Sequence, residues 1–242
     1  SSDLLTSNAT ELLGTNIDGW PSDTINIGFN FTFGEETYSQ YSVNTDGAMR
    51  LGPGTMGSAV LGTTGTEGMF TSSTYNTYMP KISGCTKDLG TCSNGYVRSE
   101  LFGTASNRIL VVEYKLCYQY STTNNADVMW QVQLHEDSNK VVLVYASSVP
   151  ETVPSGYQTG LGTSGSDFCL IDPSTHAATF YTTGQSTTYT TWHGTNRYYE
   201  FVRILPSCPR PLDLEVSDVE SSVANVGWTQ IGSPSQWLIK YG

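Results

Sequence analysis

The residues from which chemistry could be built are few: three histidines, five cysteines, some carboxylates in turns and a large set of aromatic rings. His135, His176 and His193 are scattered. None belongs to an H-E-x-x-H pattern, and no G-x-S-x-G is present. Each reads as a turn or surface residue. The nearest paired carboxylates lie in E-V-S-D-V-E, as Glu215, Asp218 and Glu220. Two carboxylates on one strand face would suit glycoside hydrolysis. On a strand, however, Glu215 and Asp218 point to opposite sides. No catalytic residue is assigned, and the chain is read as a non-enzyme.

Two kinds of binding site are candidates. Asp46, Asp137 and Asp167 lie in N-T-D-G, E-D-S-N and G-S-D. Oxygen-rich turns of this kind suit Ca²⁺, the one cofactor considered; the same residues are ordinary turn formers. Tyr75, Tyr78, Tyr189 and Trp192 lie in expected loops, where exposed rings would stack on sugars. Aromatics also favour strands.

Cys85 and Cys92 bracket a short polar loop, C-T-K-D-L-G-T-C. That spacing is expected to close a disulfide and is too long for a C-x-x-C redox or zinc pair. Cys117 reads as a buried free thiol within a hydrophobic strand. Cys169 and Cys208 either pair or stay free. The glycine-rich stretch after Leu51 lacks the phosphate-binding pattern and reads as a surface connection.

The elements that must position these residues centre on three strands. Ile109 to Tyr120 is the first. Val128 to His135 is the second, with Val128, Trp130, Val132 and Leu134 on one face by the period of two. Lys140 to Tyr145 is the third, joined to the second by the turn E-D-S-N-K. Ile25 to Phe33 alternates apolar and polar residues. Asp46-Gly47 marks a hairpin within Tyr41 to Leu51. Further strands are expected at Gly95 to Phe102 and Tyr198 to Leu205, for roughly ten in all at sandwich-like spacing. The fold class is therefore all-β, a two-sheet, jelly-roll-like sandwich over residues 1–205. Residues 206–211, P-S-C-P-R-P, form a stiff linker. A different module occupies residues 212–242.

Composition agrees. Of 242 residues only 14% are charged, 38% are hydrophobic and 24 are glycines, as a turn-rich sheet protein needs. The net charge of -11 argues against nucleic acid, which requires a basic footprint. No apolar run is long enough to span a bilayer, so no membrane insertion is expected. The first residue is serine rather than methionine, which reads as a processed chain.

The tail C-P-R-P-L-D-L-E-V-S-D-V-E-S-S-V-A-N-V-G-W-T, followed by Q-W-L-I-K-Y-G, resembles the start of a fibronectin type III domain, closest to those in Bacteroidetes surface proteins. The resemblance places Trp228 in a core and matches Trp237, Ile239 and Tyr241 to a third-strand pattern. It implies a module cut before its two sheets close. The segments F-N-F-T-F-G, Y-S-V-N-T-D-G-A-M-R-L-G, N-R-I-L-V-V-E-Y-K and W-Q-V-Q-L-H-E-D-S-N-K-V-V-L-V-Y resemble nidogen-like modules of the same proteins. This implies an extracellular or cell-surface location, and adhesion or surface architecture as the role, with an extracellular protein or glycan as partner. A carbohydrate-binding module serving a glycan-degrading enzyme is the alternative. Asp23-Thr24-Ile25 is similar to the Bacteroidetes O-glycosylation acceptor, which makes Thr24 a candidate modification site.

Overall fold

The computed structural model describes residues 5–56, 70, 78–118, 120–183, 187–202, 212–221 and 223–229. The chain divides into two compact units, Ser1–Val202 and Arg203–Gly242. Strands of the first unit are, in chain order, β1 (Thr10–Leu13), β2 (Ile25–Phe33), β3 (Glu36–Val43), β4 (Ala48–Leu51), β5 (Lys81–Thr86), β6 (Leu89–Gly90) and β7 (Tyr96–Phe102). They continue as β8 (Ile109–Tyr118), β9 (Val128–His135), β10 (Val141–Tyr145), β11 (Gln158–Ser164), β12 (Asp167–Ile171), β13 (Ala178–Tyr181) and β14 (Tyr198–Phe201). The second unit contains one described hairpin, β15 (Leu212–Ser217) with β16 (Asn225–Thr229).

The first sheet runs β1-β7-β8-β9-β10-β14, with β6 against β8; the second runs β13-β12-β11-β5-β4-β3-β2. Strands consecutive in the chain are mostly neighbours, so the sandwich is built of meanders. This is the all-β, two-sheet sandwich expected from the sequence, with most strands returning to their chain neighbours. The reason is local: short polar turns such as Asn44–Gly47 and Glu136–Asn139 return each strand to its predecessor.

Alternation decides which side of each strand is buried. Val112, Tyr114 and Leu116 of β8, Trp130, Val132 and Leu134 of β9, and Val141, Leu143 and Tyr145 of β10 point into one core. Ile27, Phe29, Phe31 and Phe33 of β2, with Met49, Leu51 and Ile82, meet them from the second sheet. Each such side chain contributes about 1.5–3 kcal/mol of hydrophobic stabilisation. Trp130 stacks on Tyr114 with ring centroids 4.7 Å apart. It lies so close to the opposing sheet that a Cβ at Gly84 would sit 2.2 Å from the indole. Gly84 therefore permits the sheet-to-sheet contact that Trp130 makes.

The expected Cys85–Cys92 disulfide is corrected. The bond joins Cys92 to Cys117, so Cys117 is not a free thiol, and Cys85 and Cys169 are the buried free ones. Geometry explains it. Cys85 lies on β5 of the second sheet. The polar loop after it crosses to the first sheet, where β6 pairs with β8 through Leu89–Tyr118 and Gly90–Cys117. The crossing separates Cys85 from Cys92 and lays Cys92 beside Cys117. Cys208 lies outside the described residues.

Candidate functional site

The sequence-predicted site residues do not assemble. Asp46 is buried in the β3–β4 turn, where its carboxylate accepts from Asn44 Nδ2 at 3.3 Å and its carbonyl accepts from Lys87 N at 3.3 Å. Asp137 accepts from its neighbour Ser138 in the β9–β10 turn, and Asp167 accepts from Thr163 at the start of β12. Each shapes a separate turn. Among the described residues no three His, Cys, Asp or Glu side chains are grouped closely enough to hold a metal ion. Tyr75 lies outside the described residues. Tyr78 packs against the small cluster of Phe70, Phe168 and Met56. Thr24 is half-buried just ahead of β2.

Trp192 and Tyr189 do come together, both against Tyr157, with Trp192 buried in the core and Tyr189 half-buried at its edge. Trp192 is 7% exposed and packs edge-on to Tyr145 and beside Tyr157; Tyr189 packs against Tyr157. The expectation of a sugar-stacking Trp192 is thus corrected: its ring fills the core and has no free face. The sequence placed these rings in a loop. The loop's backbone is held against the sheet by a bridge between Tyr157 and Tyr189, which turns them inward.

The same region buries His193, against the expectation of a surface residue. Its Nε2 lies 2.9 Å from Thr159 Oγ1 and its Nδ1 3.0 Å from the Tyr199 hydroxyl. Thr159 Oγ1 donates to the Gly84 carbonyl at 2.5 Å. Its lone pairs are therefore what His193 meets, so Nε2 carries the proton and Nδ1 accepts from Tyr199. The Tyr199 oxygen in turn accepts from Nδ1 of His176 at 2.9 Å. One directed chain runs from His176 on the surface to Gly84 in the core. Burial, reinforced by His176 and Arg197, pushes the His193 imidazole down to about 3. It is neutral and its hydrogen-bonding capacity is spent on the fold.

A second polar network lies on the outer face of the first sheet. Cross-strand register aligns Arg98, Glu113, Gln131, Val144 and Tyr198 in one row across five strands. Their chain neighbours Val97, Val112, Trp130, Leu143 and Tyr199 face the core, so this row faces away from it. Glu113 accepts from the Tyr96 hydroxyl at 2.8 Å on one oxygen and from Gln131 Nε2 at 2.8 Å on the other. Gln131 Oε1 accepts from Gln133 Nε2 at 3.0 Å. The Arg98 guanidinium lies over the Tyr96 ring, 3.9 Å from its centroid. Burial, then the Glu113 charge and hydrogen bond, push the Tyr96 phenol up to about 12, so it remains a donor. Glu113, Gln131 and Gln133 are all buried.

A pocket of about 170 Å³ opens beside them, lined by Glu113, Gln131, Met129, Val144, Ser147 and Ser148 among others. Beyond Val144 in the same row stands Tyr198, 63% exposed. Sequence reasoning missed this set. The signal was present as the polar half of two alternating strands, V-V-E-Y-K and W-Q-V-Q-L.

A family model described as NIDO related matches residues 2–203. No curated protein and no solved structure matches the chain.

Proposed function

The chain belongs to the NIDO-related family, and from that premise we propose that it is a non-catalytic, extracellular binding module of adhesion or surface-architecture type. The observation that carries this reading is the outer face of the first sheet. There a hydrogen-bonded set of side chains is fixed in register on the central strands beside an open pocket. Side chains held on strands present a ligand with groups whose ordering cost is already met by the fold. The Cys92–Cys117 disulfide suits an oxidising compartment. No described helix is long and apolar enough to cross a membrane. Within the same reading, residues 212–242 are of fibronectin type III kind, which the antiparallel β15–β16 hairpin supports.

The experiment is saturable binding of labelled protein to extracellular-matrix components and to cell-surface glycans, with turnover of the same ligands measured in parallel. Binding without turnover is expected. Turnover of a bound ligand, or no binding to either class, contradicts the reading.

A further inference from the structure

We propose that the outer face of the first sheet is a subsite for an uncharged saccharide chain. Glu113 and Gln131 are its hydrogen-bonding floor, braced by Gln133, and Tyr198 is an aromatic platform at one end. This rests on the binding-module reading above and names the ligand class for it.

The argument starts from charge. The protein carries a net charge of -11, yet the outward residues of β7 and β8 are balanced, Arg98 and Lys115 against Glu100 and Glu113. Arg98 is further engaged by the Tyr96 ring and by Glu11 at 3.8 Å. Among the described residues of this face the cations Arg98 and Lys115 both lie against the Tyr96 ring, and the overall charge repels a polyanion. A neutral ligand matches a neutral face.

Hydrogen-bond chemistry narrows the class. Adjacent carboxylate and amide groups offer acceptors and donors side by side. A carboxylate has about four lone-pair sites, and the two hydrogen bonds to Glu113 from Tyr96 and Gln131 orient it without saturating it. Vicinal sugar hydroxyls, each both donor and acceptor, complement such a row. The pocket adds the hydroxyls of Ser147 and Ser148 at its rim and the apolar walls of Met129 and Val144. Its volume, about 170 Å³, is on the scale of one pyranose ring.

Length and shape agree. Glu113 and Tyr198 are separated by three strand intervals, about 14 Å at the usual spacing. That distance accommodates a few linked sugar rings. Tyr198 is exposed, and pyranose C–H faces stack on such rings. Stability alone does not call for a carboxylate and two amides buried on the outside of a sandwich, since desolvating them has a cost that apolar or fully solvated residues avoid.

The test uses the full chain. An array of neutral, sialylated and sulfated oligosaccharides is probed first, and the strongest neutral ligand is then titrated calorimetrically. Gln131→Ala and Tyr198→Ala are compared with Phe180→Ala, which alters an aromatic residue 79% exposed on β13 of the other sheet. The expected result is binding to neutral glycans, weakened tenfold or more by Gln131→Ala and by Tyr198→Ala and unchanged by Phe180→Ala. Tyr198 is a surface side chain, so its variant reports on binding without loss of the fold. Neutral-glycan binding that both variants retain overturns the site. Binding confined to charged glycans, or to matrix proteins after enzymatic deglycosylation, overturns the ligand class while the binding-module reading stands. Absence of binding to glycans and matrix proteins alike overturns both.

Discussion

Two of the buried polar networks among the described residues, one between the sheets and one outside them, are arranged on opposite principles. The inner chain from His176 through Tyr199, His193 and Thr159 to Gly84 is directed: each donor has one acceptor, and the tautomer of His193 is fixed by what lies on either side. The rings of Tyr145, Tyr157 and Trp192 enclose it. The outer network from Tyr96 through Glu113 to Gln131 and Gln133 is just as short in its distances but adjoins a pocket and an exposed tyrosine. Burial alone does not distinguish a structural polar group from a functional one. What distinguishes them is whether a further partner has space to arrive.

If the comparison is right, mutations should separate stability from binding. The largest effect is expected at His193. His193→Ala removes a packed ring, takes away the donor to Thr159 Oγ1 and leaves the Tyr199 hydroxyl proton without its acceptor, costing about 4 kcal/mol, read as a lower denaturation midpoint in urea. Binding per folded molecule should not change.

Next comes the disulfide. Cys92 and Cys117 are 25 residues apart, and opening a loop of that size costs about 3.5 kcal/mol. Paired thermal melts with and without reductant measure it. Cys85 and Cys169 are buried and should resist mild alkylation in the folded state.

Acid should act mainly on the inner network. His193 is held down to about 3 in the fold against a usual value of 6.5. Below pH 6.5 the unfolded chain takes up a proton that the folded chain refuses. Stability is therefore whole above pH 6.5 and falls as the pH drops towards 3, by about 2–3 kcal/mol at pH 4.5. The charged groups that bear on it are His176, Arg197 and Asp172. Lys81, lowered to about 7 from 10.5 by burial, acts in a separate window. Its contribution is lost as the pH falls from 10.5 to 7. Denaturation midpoints between pH 8 and 4.5 should lose their slope below 6.5 in His193→Gln.

The smallest stability effect belongs to the outer face. Gln131→Ala removes the hydrogen bonds to Glu113 and from Gln133 but leaves the packed strand intact, and about 1–3 kcal/mol is expected. Its binding loss should be the largest of these variants, which inverts the order set by stability.

The strands that hold both networks were the most legible part of the sequence. Val128 to His135 appears as β9 without change, and the Asp46-Gly47 hairpin signal lies in the β3–β4 turn. Long runs with period-two alternation bury one face whatever surrounds them, so they can be read locally. Non-local facts were not legible in this way. Cys92 meets Cys117 only because the loop after β5 changes sheets. Trp192 is buried only because Tyr157 captures the loop at Tyr189. The outer row was hidden for a different reason. Polar residues that alternate with core residues look solvated until the register across β7, β8 and β9 aligns Tyr96, Glu113 and Gln131 for hydrogen bonding.

The most direct measurement is a nuclear magnetic resonance titration with a neutral oligosaccharide, following the side-chain amides of Gln131 and Gln133 together with the imidazoles of His193 and His176. The account predicts saturable shifts of both glutamine amides while the His193 ring stays where it is. Shifts of the His193 ring with unmoved glutamine amides would contradict it, and would place the ligand at the inner network.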